Sequence, residues 1–157
     1  MLERIIDKIK LVNFKDFNSS EIELVYKWRN DPKIAKYMVN KHIDLKEHLS
    51  FIKSLKNSSD KRYFLVYQSG EPIGVVSFVN ISEISCEFGI YANPNLRQMG
   101  DILMSVIIYY AFDILNVSKI LAKAYKDNLK AINLYQKFKF EIYENSDLMV
   151  YFCRKAK

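Results

Sequence analysis

The feature that most constrains the fold is an apolar stretch between two strand-like segments in the second half of the chain. Segment 85–93, "SCEFGIYAN", and segment 119–126, "KILAKAYK", have the composition and length of β-strands. Between them, an apolar stretch from about Asp101 to Leu115 is long enough for about four helical turns. Parallel strands need a crossover connection, usually a helix. The sequence therefore predicts at least one βαβ crossover.

The remaining elements extend this unit into a mixed fold. Strands are predicted over 9–14, 61–68 and 73–81, with two more around the "NSD" turn of segment 139–155. Ser19 or Ser20 is the predicted cap of a helix over 21–29, which Pro32 prevents from continuing. Asp44 and Glu47 form a predicted capping pair for a helix over 45–56. We expect one α/β (α+β) domain over 1–157, with a mixed central sheet of about seven strands and about four flanking helices.

Composition excludes several classes of protein. The opening "MLERIIDKIK" alternates charged and apolar residues, unlike a signal peptide, and no apolar run approaches the ~18 residues of a membrane span. Cys86 and Cys153 have neither disulfide-framework nor zinc-site spacing, so we expect buried free thiols and no metal. The net charge of +6 suits an anionic partner. We expect a cytoplasmic protein with no membrane partner.

Two weaker signals point to a phosphate and an amide chain. The loop "NLRQMGD" precedes a predicted helix, and backbone N–H groups at a helix N-terminus, with the helix dipole, can bind an anion. Gly89 lies inside a predicted strand, where glycine marks either close packing or a close approach by a ligand. Each signal alone also fits a purely structural role.

A third signal is one face of the predicted helix that starts at Asp127 or Asn128. Asn128, Ala131 and Tyr135 share that face because seven residues make nearly two turns. An amide, a small side chain and a phenol in this order suit a slender chain ligand. A phenol, with a reference pKa near 10, can protonate a departing thiolate, whose conjugate acid has a pKa of about 8.5 by analogy with cysteine.

These residues resemble the GCN5-related N-acetyltransferase (GNAT) family, which binds acetyl-coenzyme A (acetyl-CoA), over nearly the whole chain. "NLKAINLYQKFKF" is similar to the family pattern N-x-x-A-x-x-L-Y-x-x-x-x-F, and "NLRQMG" resembles its pyrophosphate motif, [Q/R]-x-x-G-x-[G/A]. The resemblance implies a sheet that splays between strands four and five. It also implies that Asn128 and Ala131 contact the pantetheine arm and that Tyr135 protonates the leaving thiolate. The implied cofactor contacts of the fourth strand and the next loop are Phe88, Gly89, Ile90, Tyr91, Leu96, Arg97, Gln98, Met99, Gly100 and Asp101.

The pyrophosphate loop departs from the family pattern. Asn95 replaces the usual Gln or Arg, and Gln98 stands where the first glycine is expected. If position 98 needs a positive φ, Gln costs roughly 1–2 kcal/mol there. Asp101 also places a carboxylate near the expected phosphates. Backbone amides donate whatever side chain they carry, so we keep the prediction of cofactor binding.

The acceptor is indicated by the segment "YKWRNDPKIAKYMVNKHIDLKEHLSFI". It resembles members of the family that acetylate the 4-amino group of a UDP-linked 4-amino-4,6-dideoxy sugar in pseudaminic acid biosynthesis, which serves flagellin glycosylation. The resemblance implies that the substrate-binding residues are Arg29, Met38, His48 and Phe51. An arginine suits the diphosphate, and aromatic rings suit the uracil. Trp28 and His48 also fit simple packing roles.

The sequence leaves more than one candidate for the general base and for the class of acceptor. Glu87 matches a position where some relatives carry a glutamate base acting through water, and His48 is the rival because its reference pKa lies near neutrality. A protein N-terminus is the second candidate acceptor, and an inactive acyl-CoA binder is a third reading. The dispersed lysines and the lack of a nucleic-acid motif argue against nucleic-acid binding. The sequence does not decide whether the chain forms a homodimer.

Overall fold

The computed structural model describes residues 8–156, so most of the opening segment discussed above lies outside the described residues. Its seven strands form one sheet in the order β1-β2-β3-β4-β5-β7-β6. The strands are β1 Ile9–Asn13, β2 Arg62–Gln68, β3 Glu71–Val79, β4 Ser85–Ala92, β5 Lys119–Tyr125, β6 Glu141–Asn145 and β7 Met149–Lys155. The α-helices are α1 Ser19–Asn30, α2 Pro32–Ala35, α3 Leu45–Ser54, α4 Gly100–Tyr109 and α5 Leu129–Lys137.

The sheet confirms the predicted mixed architecture. β4 and β5 are parallel and are joined through α4, whereas the other paired strands run antiparallel. The crossover predicted from the apolar stretch is therefore present. Five α-helices occur in the described residues rather than about four, because Pro32 begins a short helix of its own after α1 ends.

The helix ends show where the sequence predictions were inexact. Asn18, not Ser19 or Ser20, caps α1: its side chain accepts from the Glu21 backbone, and the Glu21 side chain accepts from the Asn18 backbone. Asp44 caps α3 as predicted, accepting from the Glu47 backbone at 2.8 Å. The long apolar helix ends as α at Tyr109 and continues as a π-helical turn over Tyr110–Ile114. All of these helices pack on the sheet in two layers.

The two layers bury separate apolar clusters, one on each face of the sheet. The first cluster joins α4 and α5 to alternate residues of β2–β5 and β7, and its largest fully buried side chains include Phe78, Phe152, Leu103 and Ile107. The second cluster joins α1–α3 to the opposite face of β2 and β3, through Leu65 and Val75. Trp28 is 3 % exposed in this second cluster, which agrees with a core role. We call these the α4–α5 face and the α1–α3 face.

The structure shows the state of the two cysteines and the character of the helices. Both cysteines are free, with Cys86 buried as predicted and Cys153 only half-buried. Burial raises the pKa of the Cys86 thiol to about 11. Within residues 8–156, every helix is too short or too polar to cross a bilayer. The same residues contain no group of three or more His, Cys, Asp or Glu placed to hold a metal ion.

Candidate active site

The candidate site begins where β4 and β5 separate. These two strands pair only through Ser85–Glu87 and Lys119–Leu121. Beyond Glu87, β4 continues to pair with β3 through Ala92 but no longer pairs with β5. The splay predicted between strands four and five is therefore present. It leaves backbone N–H and C=O groups of β4 available to an extended, amide-containing ligand.

The four predicted cofactor contacts of β4 all lie in this unpaired part. Phe88, Gly89, Ile90 and Tyr91 are the four residues that follow the last β4–β5 pair. Gly89 lies opposite Ser77 of β3, and a Cβ atom at Gly89 would be 2.5 Å from the Ser77 Oγ. A side chain at this position would therefore displace the Ser77 hydroxyl, so close packing on the α1–α3 face favours a glycine here independently of any ligand.

The predicted pyrophosphate loop leads directly into α4. Leu96, Arg97, Gln98 and Met99 precede the helix, and Gly100 and Asp101 are its first two residues. Side chains cap the other four α-helices of residues 8–156, whereas Met99 gives α4 no side-chain hydrogen bond. The first N–H groups of α4 are therefore free to bind an anion.

The backbone of Gln98 has a positive φ angle, so the strain cost expected for a non-glycine residue at this position applies. Its φ angle is 61°, in the left-handed region that glycine adopts without strain. The family pattern also fits two residues later, with Arg97 in the first position and Gly100 in the fourth, at the start of the helix. In that frame Ile102 takes the last position. Either frame places the same loop at the N-terminus of α4.

The helix face that carries Asn128, Ala131 and Tyr135 forms as predicted. Asn128, rather than Asp127, is the N-cap of α5, and its Oδ1 accepts from the Ala131 backbone at 3.2 Å. Capping occupies the side-chain oxygen and leaves the Nδ2 group as a donor, which is the polarity that a ligand carbonyl needs. Ala131 is half-buried and packs against the α4–α5 cluster.

Tyr135 lies on the α4–α5 face beside the splay. Its ring packs edge-on against Phe88, with a centroid distance of 5.0 Å, and against Phe152 at 5.2 Å. Burial raises the pKa of the Tyr135 phenol above its ordinary value. The hydroxyl therefore keeps its proton at neutral pH, and its contact with Phe88 places it beside the first residue of β4 that β5 leaves unpaired.

Glu87 lies at the same point of the sheet on the opposite face. It is the last residue of β4 that pairs with β5, and alternation along the strand turns its side chain away from Phe88. Its carboxylate lies 3.9 Å from the Lys123 Nζ of β5. Tyr135 and Glu87 therefore flank β4 from the two faces of the sheet where the strands separate.

The four predicted acceptor residues belong to the α1–α3 layer. Met38 and Phe51 are half-buried in its apolar cluster, and Phe51 packs edge-on against Tyr63. His48 is 2 % exposed, and its Nε2 lies 3.0 Å from the Ile22 carbonyl oxygen, a hydrogen bond in which Nε2 donates. Burial lowers the pKa of His48. The imidazole is therefore neutral near pH 7, with one nitrogen committed to the fold.

Arg29 differs from these three because part of its charge has no protein partner. Its Nη2 donates to the Asn40 carbonyl oxygen at 2.7 Å, while its Nη1 is buried and unpartnered within the described residues. Burial raises the pKa of Tyr91, and the nearby Arg29 guanidinium opposes that rise. Arg29 thus lies close to β4 with an unsatisfied donor, which favours an anionic ligand.

Two lysines of the site were not found from the sequence. Lys123 pairs with Glu87, and Lys137 pairs with Asp101, with an Nζ–Oδ2 distance of 2.6 Å. Strand alternation would have placed Lys123 on the Glu87 face once the β4–β5 register was known. No sequence signal joins Lys137 to Asp101, because the two residues are far apart in the chain and meet only through packing of α5 beside α4.

Comparison with known proteins decides the family. Residues 12–141 match the acetyltransferase (GNAT) domain family. The chain belongs to the GNAT acetyltransferases. It is 52 % identical over 147 residues to the acetyltransferase PseH of Campylobacter jejuni, which covers 94 % of each chain. The match agrees with the resemblance seen in the sequence motifs.

Solved structures of relatives agree with this assignment. The crystal structure of C. jejuni PseH in complex with acetyl-CoA has 47 % sequence identity and a TM-score of 0.84, over 95 % of this chain and 99 % of that one. The spermidine N-acetyltransferase of Vibrio cholerae, in complex with CoA and spermine, has a TM-score of 0.82 at 20 % identity, over 95 % of this chain and 96 % of that one, which shows the shared fold alone. This GNAT acetyltransferase is an N-acetyltransferase that uses acetyl-CoA.

Proposed function

We propose that this enzyme acetylates the 4-amino group of a UDP-linked 4-amino-4,6-dideoxy sugar, with direct attack on acetyl-CoA in a ternary complex. The observation that carries the anionic acceptor is the buried, unpartnered Nη1 of Arg29. A buried donor of a charged group without a partner is costly, and a diphosphate oxygen would satisfy it. The similarity to PseH over 94 % of the chain supports the same acceptor class.

The acceptor would lie against the α1–α3 face, next to Glu87. Arg29 would bind the diphosphate, and Met38 and Phe51 would contact the apolar parts of the sugar. His48 would form a wall of this pocket rather than act as the base, because Nε2 is already bonded to Ile22. A cationic polyamine suits this pocket poorly, since the unpartnered group there is itself a cation.

The cofactor would lie in the splay between β4 and β5. The unpaired residues 88–91 would bind the pantetheine amides, and the loop 96–101 with the uncapped start of α4 would bind the pyrophosphate. Asn128 would donate Nδ2 to a pantetheine carbonyl, and Ala131 would let the arm lie close to α5. The chemistry that acetyl-CoA supplies is an acetyl thioester.

Proton transfer would be divided between the two faces of β4. Glu87, directly or through a water, takes a proton from the ammonium form of the sugar amine and later releases it to solvent. The free amine nitrogen then forms the new bond to the acetyl carbonyl carbon. The carbon–sulfur bond breaks as the Tyr135 hydroxyl gives its proton to the sulfur, and the proton that the new amide nitrogen releases restores the hydroxyl through water. Because both residues flank the point where the strands separate, one thioester in the splay can reach both.

The setting of the enzyme follows from its substrates. We propose that the GNAT domain takes in the whole chain, 1–157, and that the enzyme works in the cytoplasm, where acetyl-CoA and nucleotide sugars are available. Its product would be a precursor of pseudaminic acid for flagellin glycosylation. Sedimentation of the pure protein would show whether it works as a homodimer.

A thiol-release assay with acetyl-CoA tests the acceptor. The panel is the UDP-linked 4-amino sugar, the same sugar without UDP, an N-terminal peptide and spermidine. We expect rapid release with the UDP-sugar alone, and Arg29→Met should raise KM for the UDP-sugar without changing the slow rate with the free sugar. Faster turnover of the peptide or of spermidine would overturn the proposed acceptor.

A further inference from the structure

Two flanking elements of the cofactor site are joined by an ion pair that the proposed function does not use. Asp101, in the first turn of α4, accepts a hydrogen bond from the Lys137 Nζ in the last turn of α5, at 2.6 Å. Both side chains are more than half exposed. An exposed pair of this kind contributes little to folding stability. Its position at the start of α4 therefore matters more than its contribution to the fold.

The two helices approach closely at the same place. A Cβ atom at Gly100 would lie 3.1 Å from the Leu134 Cδ2, so the absence of a side chain lets α5 approach the start of α4. Lys137 lies one turn beyond Leu134 on the same face of α5. That face therefore borders the free N–H groups at the start of α4. Lys137 is a cation beside the site proposed for the pyrophosphate.

Asp101 alone would oppose an anionic ligand at this site. A carboxylate near a helix N-terminus is stabilised by the helix dipole, which is the same field that would attract a phosphate. The two anions therefore compete, and Coulomb repulsion between them adds to the competition. Lys137 neutralises Asp101 in the structure, so the carboxylate at the start of α4 belongs to a neutral pair instead of standing as an unpaired anion.

We propose that Lys137 is a further cofactor-binding residue. When coenzyme A binds, the Lys137 ammonium group breaks its ion pair with Asp101 and pairs with a phosphate group of the cofactor instead. This inference rests on the cofactor position of the proposed function, and it adds a partner exchange to it. Asp101 keeps Lys137 at the mouth of the site before the cofactor arrives and weakens the final affinity by competing for the same cation. The pair also links cofactor binding to α5, the helix that carries Asn128 and Tyr135.

Calorimetry with four variants tests the exchange. The ligands are coenzyme A and pantetheine, which has the thiol arm but no phosphates, and the proteins are wild type, Lys137→Ala, Asp101→Asn and the double variant. Lys27→Ala is the matched control, because it also removes one lysine from an exposed ion pair, with Glu23 of α1. Melting temperatures confirm that each variant folds.

The expected pattern depends on charge and on phosphate. Lys137→Ala should weaken coenzyme A binding about three- to ten-fold, because it removes a cation and leaves Asp101 unneutralised. Asp101→Asn should tighten binding about two- to five-fold, with a gain that fades as salt rises, and the double variant should lie between the two. Lys27→Ala should match wild type, and pantetheine should bind all proteins equally.

Two results would overturn the inference, and they are distinguishable from a failure of the proposed function. If Lys137→Ala and Lys27→Ala both bind coenzyme A as tightly as the wild-type protein does, the cofactor site stands but Lys137 is not part of it. Weaker binding in Asp101→Asn would show that Asp101 supports the cofactor instead of competing with it. No binding of coenzyme A by the wild-type protein would overturn the proposed cofactor site together with this inference.

Discussion

The two faces of the sheet present opposite chemistry to the same strand, β4. On the α4–α5 face, the Tyr135 phenol lies among the rings of Phe88, Phe140 and Phe152, and burial there raises its pKa. On the α1–α3 face, Glu87 and Arg29 accompany an apolar cluster of similar kind. The proposed proton donor is thus buried among aromatic rings, whereas the proposed proton acceptor, Glu87, lies beside the Lys123 ammonium group.

This difference shows how one strand can keep two proposed proton transfers apart, one from the acceptor amine and one to the leaving sulfur. Neighbouring residues of a strand point to opposite faces, so Glu87 and the Tyr135-contacting Phe88 can be adjacent in sequence and still serve different environments. Where β4 and β5 separate, a ligand between them is open to both faces. The comparison predicts that substitutions on the α4–α5 face affect the leaving thiol, and that those on the α1–α3 face affect the attacking amine.

Tyr135→Phe should give the largest effect. Loss of the phenol removes the proposed acid, so we expect kcat to fall about 10²–10⁴-fold, while the ring contacts and the affinity for acetyl-CoA are kept. Steady-state kinetics with calorimetry would measure both quantities. Tyr67→Phe is the matched control: its hydroxyl donates to the Glu21 Oε2 at 2.8 Å, away from the splay, and kcat should change less than about two-fold. Normal turnover by Tyr135→Phe would show that another group protonates the thiolate.

Glu87→Gln should have the next largest effect, and one that depends on pH. The amide cannot accept the proton of an ammonium group, so we expect kcat/KM near neutral pH to fall by about 10²-fold. The deficit should shrink as pH rises towards the pKa of the acceptor amine, because the free amine then needs no base. Glu23→Gln, which changes only the exposed pair with Lys27, should leave the profile unchanged. A constant deficit at all pH values would show that Glu87 only positions the acceptor.

Gly89→Ala should mainly reduce the stability of the fold. A second substitution at Ser77, its neighbour on the α1–α3 face, should restore that stability. The new Cβ would lie 2.5 Å from the Ser77 Oγ, so we expect a loss of about 1–3 kcal/mol in the free energy of unfolding, measured with urea. Ser77→Ala in the same chain removes that oxygen and should restore most of the loss. Gly74→Ala should not be rescued, because its Cβ would lie 2.7 Å from the Tyr91 carbonyl oxygen. Equal effects of Ser77→Ala on both variants would contradict this packing explanation.

The parts of the site that follow from a local period could be predicted from the sequence. The common face of Asn128, Ala131 and Tyr135 follows from the helical repeat, and the parallel β4–β5 pair follows from a helix between two strands. The family motifs added the expectation of a splay. The helix face needs only residues within two turns, and the parallel pair needs only the order strand, helix, strand along the chain, so short patterns were enough to predict both.

The parts that depend on distant packing could not be predicted. Lys137 reaches Asp101 only because α5 packs against Gly100, and the unpartnered Nη1 of Arg29 is a property of the folded pocket. The cap of α1 was misplaced for a different reason: Asn18 and Ser19 are both good caps, and the reciprocal bond with Glu21 selects Asn18. A sequence shows which residues can cap or pair, whereas the fold selects among them.

Gln98→Gly should give the smallest effect, at the loop where the α4–α5 face begins. A non-glycine residue at φ 61° costs roughly 1–2 kcal/mol, and glycine removes this strain. Glycine also has greater freedom in the unfolded chain, which offsets about 0.5–1 kcal/mol of the gain. We therefore expect a gain of about 0.5–1 kcal/mol in the free energy of unfolding. Lys139→Gly is the matched control, because Lys139 has a φ angle of 72° after the end of α5, and it should give a similar gain. If Gln98→Gly lowers stability while Lys139→Gly raises it, the Gln98 side chain makes contacts that outweigh its backbone strain, and the loop is held by more than its amides.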